Sequence, residues 1–468
     1  MSAPLSTPRA SQRVLPTLNA DGTRRLIRPR LYAGPKWRAR RVVAWVLMVT
    51  FVALPWLRVG GRPVVLLDVA RREFTLFGRT FLPTDGVLLM LLLLAIFVAI
   101  VLVTALVGRA WCGWACPQTV YMEFLYRPIE RLFEGKRERQ LELDKKGANL
   151  ARFAKNGVFL LVSILLGNAF LAYFVGTDAL EHWISRSPSE HPTAFLVMAV
   201  AAGLTFFDFA YFREQMCTVI CPYARLQSVL LDRRSLVVGY DPLRGEPRSK
   251  GKSKPGSGDC IDCGACVVAC PTGIDIRQGL QLECIACTQC ADACDSIMAR
   301  IKKPPGLIRY AGQESLETGR PNRLVRARVG VYAGILVALL VALVATANTR
   351  GDAEVTILRG IGAPFELREG FSVNQIRVKV RNRSDVPRRY RIELLDAGDT
   401  RLIAPENPLV VAAGEQRSTS LFVMADPALL PHGRRTVRFR VSDGAGFEAT
   451  TPYEVLGPAG TPAMGSAR

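Results

Sequence analysis

The last 174 residues hold no cysteine, and all 12 cysteines fall between positions 112 and 294. That distribution excludes a disulfide scaffold and points to metal and redox chemistry in a reducing compartment. Histidine is nearly as scarce. His432 stands alone in the C-terminal third, which leaves that region without evident chemistry, and His182 and His191 share one short polar loop where they are expected to be solvated. Acids are rare at the N-terminus, where residues 1–41 carry ten Lys or Arg against Asp21 alone, a composition expected to give a solvated, disordered arm. About 40 polar and basic residues precede the first apolar run, so no cleaved signal peptide is expected. No nucleotide or flavin fingerprint occurs, so any donor of electrons is a separate molecule.

The net charge of +21 and pI near 9.9 would first suggest nucleic acid. The hydrophobic fraction of 49% argues otherwise, because the apolar residues come in long blocks. Five blocks, at approximately 42–57, 86–108, 157–176, 193–212 and 329–347, approach the roughly 20 residues that cross a bilayer. The first is short and holds Pro55, although Val59 and its neighbours could lengthen it. The expected partner is therefore a lipid bilayer and not nucleic acid. Lys plus Arg number 5 in residues 58–85, 10 in 109–156, 1 in 177–191 and 18 in 213–328. Rich and poor segments alternate, as the positive-inside rule requires. The N-terminus, the 109–156 loop and the 213–328 region are expected in the cytoplasm. Five spans then place the C-terminal part outside, in a periplasm if the cell is Gram-negative. Its 17 basic residues do not oppose this, since long domains translocate largely regardless of charge.

Eight cysteines crowd into residues 260–294 as two C-x2-C-x2-C-x3-C runs: Cys260, Cys263, Cys266 and Cys270, then Cys284, Cys287, Cys290 and Cys294. Eight thiolates are what two [4Fe–4S] clusters need, and in two-cluster ferredoxins the fourth ligand of each cluster comes from the other run. That pattern assigns Cys260, Cys263, Cys266 and Cys294 to one cluster, and Cys284, Cys287, Cys290 and Cys270 to the other. Zinc favours paired C-x2-C units over triplets. Asp295 stands where Pro271 follows the first run, a departure from the ferredoxin ending. The Gly, Ser, Pro and Lys of residues 245–258 read as a flexible linker, with flanking basic residues placed to rest on anionic headgroups.

The other four cysteines form two like motifs, Cys112-Gly-Trp-Ala-Cys116-Pro117 and Cys217-Thr-Val-Ile-Cys221-Pro222, after the second and fourth apolar blocks. On a continuing helix each pair would share a face, and the proline would bend or end that helix. Two spans and a motif, twice over, look like an internal duplication that would bring four thiolates together near the membrane surface. Soft thiolates select Cu(I), Zn or Fe–S. Arg109, Arg213 and Arg225 are the neighbours expected to lower the thiol pKa values. The plain alternative is that these are small buried residues at helix ends. Asp208 lies inside the fourth block, where an ionisable group is either functional or snorkels. Met122 and Met216 are candidate thioether contacts, or simple packing.

After the fifth block the pattern changes to period two. Ile376, Val378 and Val380 alternate with charged residues, as do Tyr390, Ile392 and Leu394, and Val437, Phe439 and Val441. Such alternation, broken by turns at Asn382-Arg-Ser, Asp396-Ala-Gly and Asp443-Gly, marks half-buried strands of a β-sandwich.

Long segments resemble the FixG/RdxA/CcoG-type cytochrome c oxidase accessory proteins. They are Gly108-Arg-Ala-Trp-Cys-Gly-Trp-Ala-Cys-Pro, Arg213-Glu-Gln-Met-Cys-Thr-Val-Ile-Cys-Pro-Tyr, Tyr240-Asp-Pro-Leu-Arg-Gly-Glu-Pro-Arg, Cys270-Pro-Thr-Gly-Ile-Asp through Ala293-Cys-Asp-Ser, and Gly306-Leu-Ile-Arg-Tyr. Asp295 is usual in that family. The resemblance implies a bacterial inner-membrane protein with two [4Fe–4S] clusters, a periplasmic immunoglobulin-like tail, and a role in maturing a cbb-type oxidase by reducing Cu(II) to Cu(I). By that analogy Cys112, Cys116, Cys217 and Cys221 form the copper-reducing or relay site; the spacing itself does not specify copper. Expected partners are copper ion, oxidase assembly factors or a copper chaperone, and a cytoplasmic electron donor, and a homodimer is compatible. The organisation expected is a multidomain chain: a basic arm (1–41), an α-helical four-span membrane domain (42–240), a ferredoxin-like insert (241–310), a fifth span (311–350) and an all-β immunoglobulin-like sandwich (351–468). Two other functions compete: a quinol dehydrogenase feeding a periplasmic reductase, and a non-catalytic assembly scaffold.

Overall fold

Uninterrupted Leu, Val, Ile and Ala runs give five helices long and apolar enough to cross a membrane: Pro35–Trp56, Gly86–Val107, Leu150–Val175, Pro192–Phe212 and Ala327–Asn348. The computed structural model describes residues 16–458 except 20, 22, 70–72, 78, 82–85, 148, 252–254, 350, 385 and 396–397. Residues 1–15 of the basic arm, 252–254 of the linker and 396–397 of one turn therefore lie outside the described residues. The first helix begins seven residues before the apolar block that announced it. Pro35 suits a first helical turn, and the side chain of Asp292, 257 positions on, accepts hydrogen bonds from the backbone N–H of Trp37 at 2.7 Å and of Lys36 at 3.3 Å. A distant residue thus caps this helix, so no local pattern could reveal its start.

The chain forms two compact units, residues 1–343 and 344–468. In the first, a three-stranded antiparallel sheet follows the first span at Val65–Asp68, Glu73–Leu76 and Arg79–Phe81. Two short helices, Arg127–Glu134 and Arg137–Lys146, precede the third span. Strand Val237–Tyr240 pairs antiparallel with Ile308–Ala311 and closes off the cysteine-rich segment.

Buried charge holds these pieces together. Arg28 reaches Glu130 at 2.5 Å, Arg213 reaches the same carboxylate at 2.8 Å, Lys155 meets Glu134 at 2.8 Å, and Arg127 binds both Glu123 and Glu214. Burial alone would raise the Glu130 pKa, but Arg213 and Arg28 hold it well below the usual carboxylate range. The basic arm was expected to be solvated. From Arg28 on it is instead built into this network, because unpaired carboxylates buried there would cost several kcal/mol.

The second unit is two facing antiparallel sheets. One runs Arg401–Ile403, Gln416–Ala425, Phe371–Asn382, Ala353–Arg359, with Glu366–Arg368 also on Phe371–Asn382; the other runs Leu409–Val411, Arg388–Leu394, Arg434–Ser442, Glu448–Leu456. The inward side chains are the alternating set of the sequence: Ile376, Val378, Val380, Tyr390, Ile392, Val437, Phe439 and Val441 share one core, with Leu394 packed against it. Each strand puts every second residue on one face, which is why this region was readable in advance.

Candidate redox site

The two cysteine-rich runs fold alike. In the first, Asp262 and Gly264 flank Cys263 at φ 52° and 67°, and in the second Ala286 and Thr288 flank Cys287 at φ 53° and 58°. Left-handed backbone costs a non-glycine residue about 1–2 kcal/mol, so its recurrence on both sides of the middle cysteine marks a geometry held for a purpose. Each loop then enters a helix, Ala265–Ala269 or Gln289–Arg300, which carries the third cysteine. Cys270 leaves the first helix in extended conformation and joins Cys284, Cys287 and Cys290 around an internal cavity walled by Ile274 and Ile276. Cys294, on the second helix, lies within electrostatic reach of Cys266, Cys260 and Cys263, and burial, with those thiols adding to it, pushes its pKa up to about 12. Two sets of four soft donors in apolar surroundings fit [4Fe–4S] clusters. Among the described residues no three His, Cys, Asp or Glu converge as ligands of a single ion, either at these eight cysteines or at the four of the paired motifs.

Asp295 has a structural reason. The second helix continues through Cys294 to Arg300, where proline at 295 would break it. The Asp295 carboxylate accepts from the Gly306 N–H at 2.7 Å and from Lys36 Nζ at 3.0 Å, tying the ferredoxin-like segment to the start of the first span.

The paired motifs depart from the expected continuous helix. Cys112 sits in the short helix Ala110–Trp114, whereas Cys116 is extended (φ −62°, ψ 127°) and Pro117 starts a new helix. Cys217 sits in a π-helical turn, Met216–Ile220, and Cys221 is likewise extended (φ −62°, ψ 108°) with Pro222 opening the next helix. The proline ends one helix and begins another, so i and i+4 do not share a helical face. The two copies nevertheless repeat one backbone shape. All four thiols influence one another: Cys217 is raised by burial and then by Cys116, Cys112 and Cys221.

The lowered thiol pKa values expected from neighbouring arginines are not found. Burial pushes Cys112 up to about 11 although Arg109 pulls it down, and burial also raises Cys116. Arg213 is committed to Glu130, and Arg225 to the carbonyl of Val219. The reason is what covers the motifs. Cys112 packs in one apolar cluster with Ile285 and Cys287, against which Cys217 and Tyr223 also lie.

That covering is tightly fitted. A Cβ on Gly113 would stand 2.6 Å from the carbonyl oxygen of Ala286, so only glycine admits the loop this close. Arg40, 2% exposed, donates to the carbonyls of Gly113 at 2.7 Å and of Cys287 at 2.8 Å, bridging the two kinds of cysteine motif. Trp114 donates to the Tyr310 hydroxyl at 2.9 Å, which donates to the Ala286 carbonyl at 2.8 Å. Gln227, 1% exposed, accepts from the Cys112 thiol at 3.0 Å. Gly113→Ala is expected to cost about 1–3 kcal/mol through overpacking. Thermal melting of iron-replete protein checks this; an unchanged melting temperature would mean that the loop yields freely.

Asp208 does not snorkel to a cation among the described residues; Gln118 Nε2 donates to it at 3.1 Å. Met122 packs among Trp37, Phe124 and Phe159 and also lines a small cavity with Cys217 and Cys287, whereas Met216 lines an apolar cavity with Asp208. His182 and His191 face each other at 5.7 Å in their loop, and His432 is exposed in the tail. Sequence reading missed Arg40, Gln227, Asp292 and Tyr310, which act only through long-range contact. The glycine inside Cys112-Gly-Trp-Ala-Cys116 was the one local sign of a close approach.

Known proteins similar to this chain carry iron–sulfur domains, and one of the matching models spans Cys112 and Cys116. A family model for a 4Fe-4S dicluster domain matches residues 212–313, a 4Fe-4S binding domain matches 89–140, and an IG-like fold at the C-terminal of FixG matches 343–458. Protein RdxA of Cereibacter sphaeroides is 37% identical over 74% of this chain and 78% of its own. Protein RdxB of the same organism is 34% identical over 81% and 85%. Nitrogen fixation protein FixG of Rhizobium meliloti is 37% identical over 62% of this chain and 57% of its own length. The crystal structure of a FixG-related protein from Vibrio parahaemolyticus covers 23% of this chain and 98% of its own at 19% identity, with a TM-score of 0.22. The chain, with its cysteine-rich ferredoxin segment, its apolar helices and its immunoglobulin-like tail, belongs to the FixG/RdxA family of iron–sulfur electron-transport proteins.

Proposed function

We propose that this protein reduces Cu(II) to Cu(I) at Cys112, Cys116, Cys217 and Cys221, in support of assembling a cbb-type cytochrome c oxidase. The observation that carries the proposal is that the two kinds of cysteine share one apolar cluster: Cys112 and Cys287 are buried in it with Ile285, and Cys217 packs against it. When bound by the eight cysteines of residues 260–294, the iron–sulfur clusters supply one-electron transfer. The chain's own groups do the rest. The Cys112, Cys116 and Cys217 thiols, raised in pKa by burial, would release their protons to solvent as a metal binds, and the resulting thiolates hold Cu(I) better than Cu(II). Binding therefore raises the copper potential and favours Cu(II) + e⁻ → Cu(I). Gln227 positions Cys112, while Arg40 and Gly113 hold the motif against residues 285–287.

The charge alternation supports an inner-membrane orientation with the N-terminus and the ferredoxin segment in the cytoplasm and the sandwich in the periplasm. A reporter active only in the periplasm is expected to be on when fused after Arg350 and off after Gly256; the reverse result would overturn the orientation. The cytoplasmic electron donor and the copper chaperone or assembly factor at the tail are partners this reading requires.

One observation favours a second reading, quinol oxidation. A cavity of about 520 Å³ beside Pro117 and Met216 is walled by Phe51, Tyr121, Phe209 and Phe212, with Asp208 and Gln118 as its polar pair. Such a site suits an aromatic ring and offers a carboxylate to take its proton. Purified, iron-replete protein assayed in parallel for Cu(II) reduction, with a Cu(I)-specific chelator, and for quinol oxidation separates the two. Copper turnover that needs the four cysteines supports the first; quinol turnover that needs Asp208 and no copper supports the second.

A further inference from the structure

We infer that a second cavity, between the basic arm and the ferredoxin-like segment, binds an organic phosphate. Its volume is about 360 Å³, within the range of small-molecule sites and well beyond inorganic phosphate. The inference goes beyond the copper reading and does not depend on it.

The walls are cationic in a particular way. Arg28 and Arg127 also line the cavity, but their charges are spent on Glu130, Asp144, Glu123 and Glu214. Arg30, Arg131, Lys136 and Arg137 line it too, and none of them makes an ion pair among the described residues. The nearest fixed contacts of Arg131 and Arg137 are carbonyls, of Arg127 and of Arg28, each held through Nε, which leaves the outer guanidinium nitrogens free of those bonds. Against these four stands one lining carboxylate outside the ion-pair network, Glu138. Guanidinium forks match phosphate oxygens two at a time, so a phosphate is the anion that uses this wall best.

The floor carries an independent sign. Gln289 is 4% exposed, yet neither its Oε1 nor its Nε2 has a hydrogen-bond partner, and the same holds for the buried Nε of Arg127. Leaving such a group unsatisfied costs about 1–3 kcal/mol. Both side chains line this cavity as well as the smaller one beside Cys217, and a ligand here with donor and acceptor atoms beyond its phosphate would satisfy them. Ala269, also in the lining, precedes Cys270, as Gln289 precedes Cys290. A ligand here would touch both segments that carry cysteines of one proposed cluster, so its charge would bear on that cluster's potential.

The phosphate could belong to a soluble nucleotide-type molecule or to an anionic lipid headgroup, and the test separates these. Full-length, iron-replete protein in phosphatidylcholine nanodiscs is titrated calorimetrically with adenosine diphosphate. In parallel, its melting temperature and the reduction potential of its clusters are compared between discs with and without phosphatidylglycerol. Arg131→Gln combined with Lys136→Gln should weaken the response at least tenfold. Gln289→Ala, which changes no charge, should weaken it about threefold or more. Arg389→Gln combined with Arg391→Gln, on the exposed face of a sandwich strand, should leave it unchanged. Saturable adenosine diphosphate binding supports a soluble ligand, and a phosphatidylglycerol response without it supports a headgroup. Response to neither probe, or equal loss in the strand control, would overturn the inference. Iron content measured on each variant distinguishes a lost site from a lost fold.

Discussion

Cys116→Ala and Cys221→Ala are each expected to lower the rate of Cu(II) reduction at least a hundredfold, while the iron stays in place and remains reducible by dithionite. These two cysteines are the better targets because of where they sit. Each is extended and ends one helix just before a proline begins the next, so its side chain packs no helix interior. Cys112, by contrast, is hydrogen-bonded to Gln227 and buried against Ile285 and Cys287, so its loss would mix chemistry with packing. Burial raises the pKa of the Cys112, Cys116 and Cys217 thiols, so copper must displace protons to bind, and the rate in the parent protein should increase with pH. Below the raised thiol pKa of Cys112, about 11, each unit of pH lowers tenfold the concentration of protons that compete with copper for that sulfur. A variant lacking both motif pairs that still reduces copper at the parent rate would place the chemistry elsewhere. A pH-independent parent rate would show that thiol deprotonation is not part of the step.

Much of this was readable because its cause is local. The strand alternation of Ile376, Val378 and Val380 survives intact in the core, since a strand has only two faces. The apolar blocks became helices because nothing in them competes with the helix. The cysteine runs announced their number of ligands through spacing alone. What escaped depends on contacts across the chain. The first span begins at Pro35 because Asp292 reaches back to cap it. Arg28 of the basic arm is buried because Glu130, Glu134 and Asp144 pair with it. The sign of the thiol shifts was misjudged for the same reason. Arg109 is adjacent in sequence and favours thiolate, but the 285–287 loop that desolvates the motif is some 170 residues away, and desolvation outweighs one neighbouring charge.

Iron content should follow the tandem runs and ignore the paired motifs. Cys263→Ser combined with Cys287→Ser removes one middle cysteine from each run, and is expected to abolish most of the [4Fe–4S] absorbance. Cys112→Ser combined with Cys217→Ser is expected to leave about eight irons per chain, the content of two cubanes. The two double variants differ in what they disturb. Cys263 and Cys287 sit between left-handed residues whose backbone would be held in that conformation for no gain without a cluster to bind. Cys112 and Cys217 pack against the covering loop at Ile285 and Cys287. The competing possibility is that the four thiols of the paired motifs enclose a third cluster. They lie within electrostatic reach of one another, and like the eight others they do not converge on a single ion. In that case the parent protein would hold about 12 irons, and the second variant would lose a third of them along with a distinct EPR signal. Iron and acid-labile sulfide measured on parent and variants decide between the two. Loss of iron from Cys112→Ser with Cys217→Ser would turn the proposed copper site into an electron relay and move copper, if it is the substrate, to another surface.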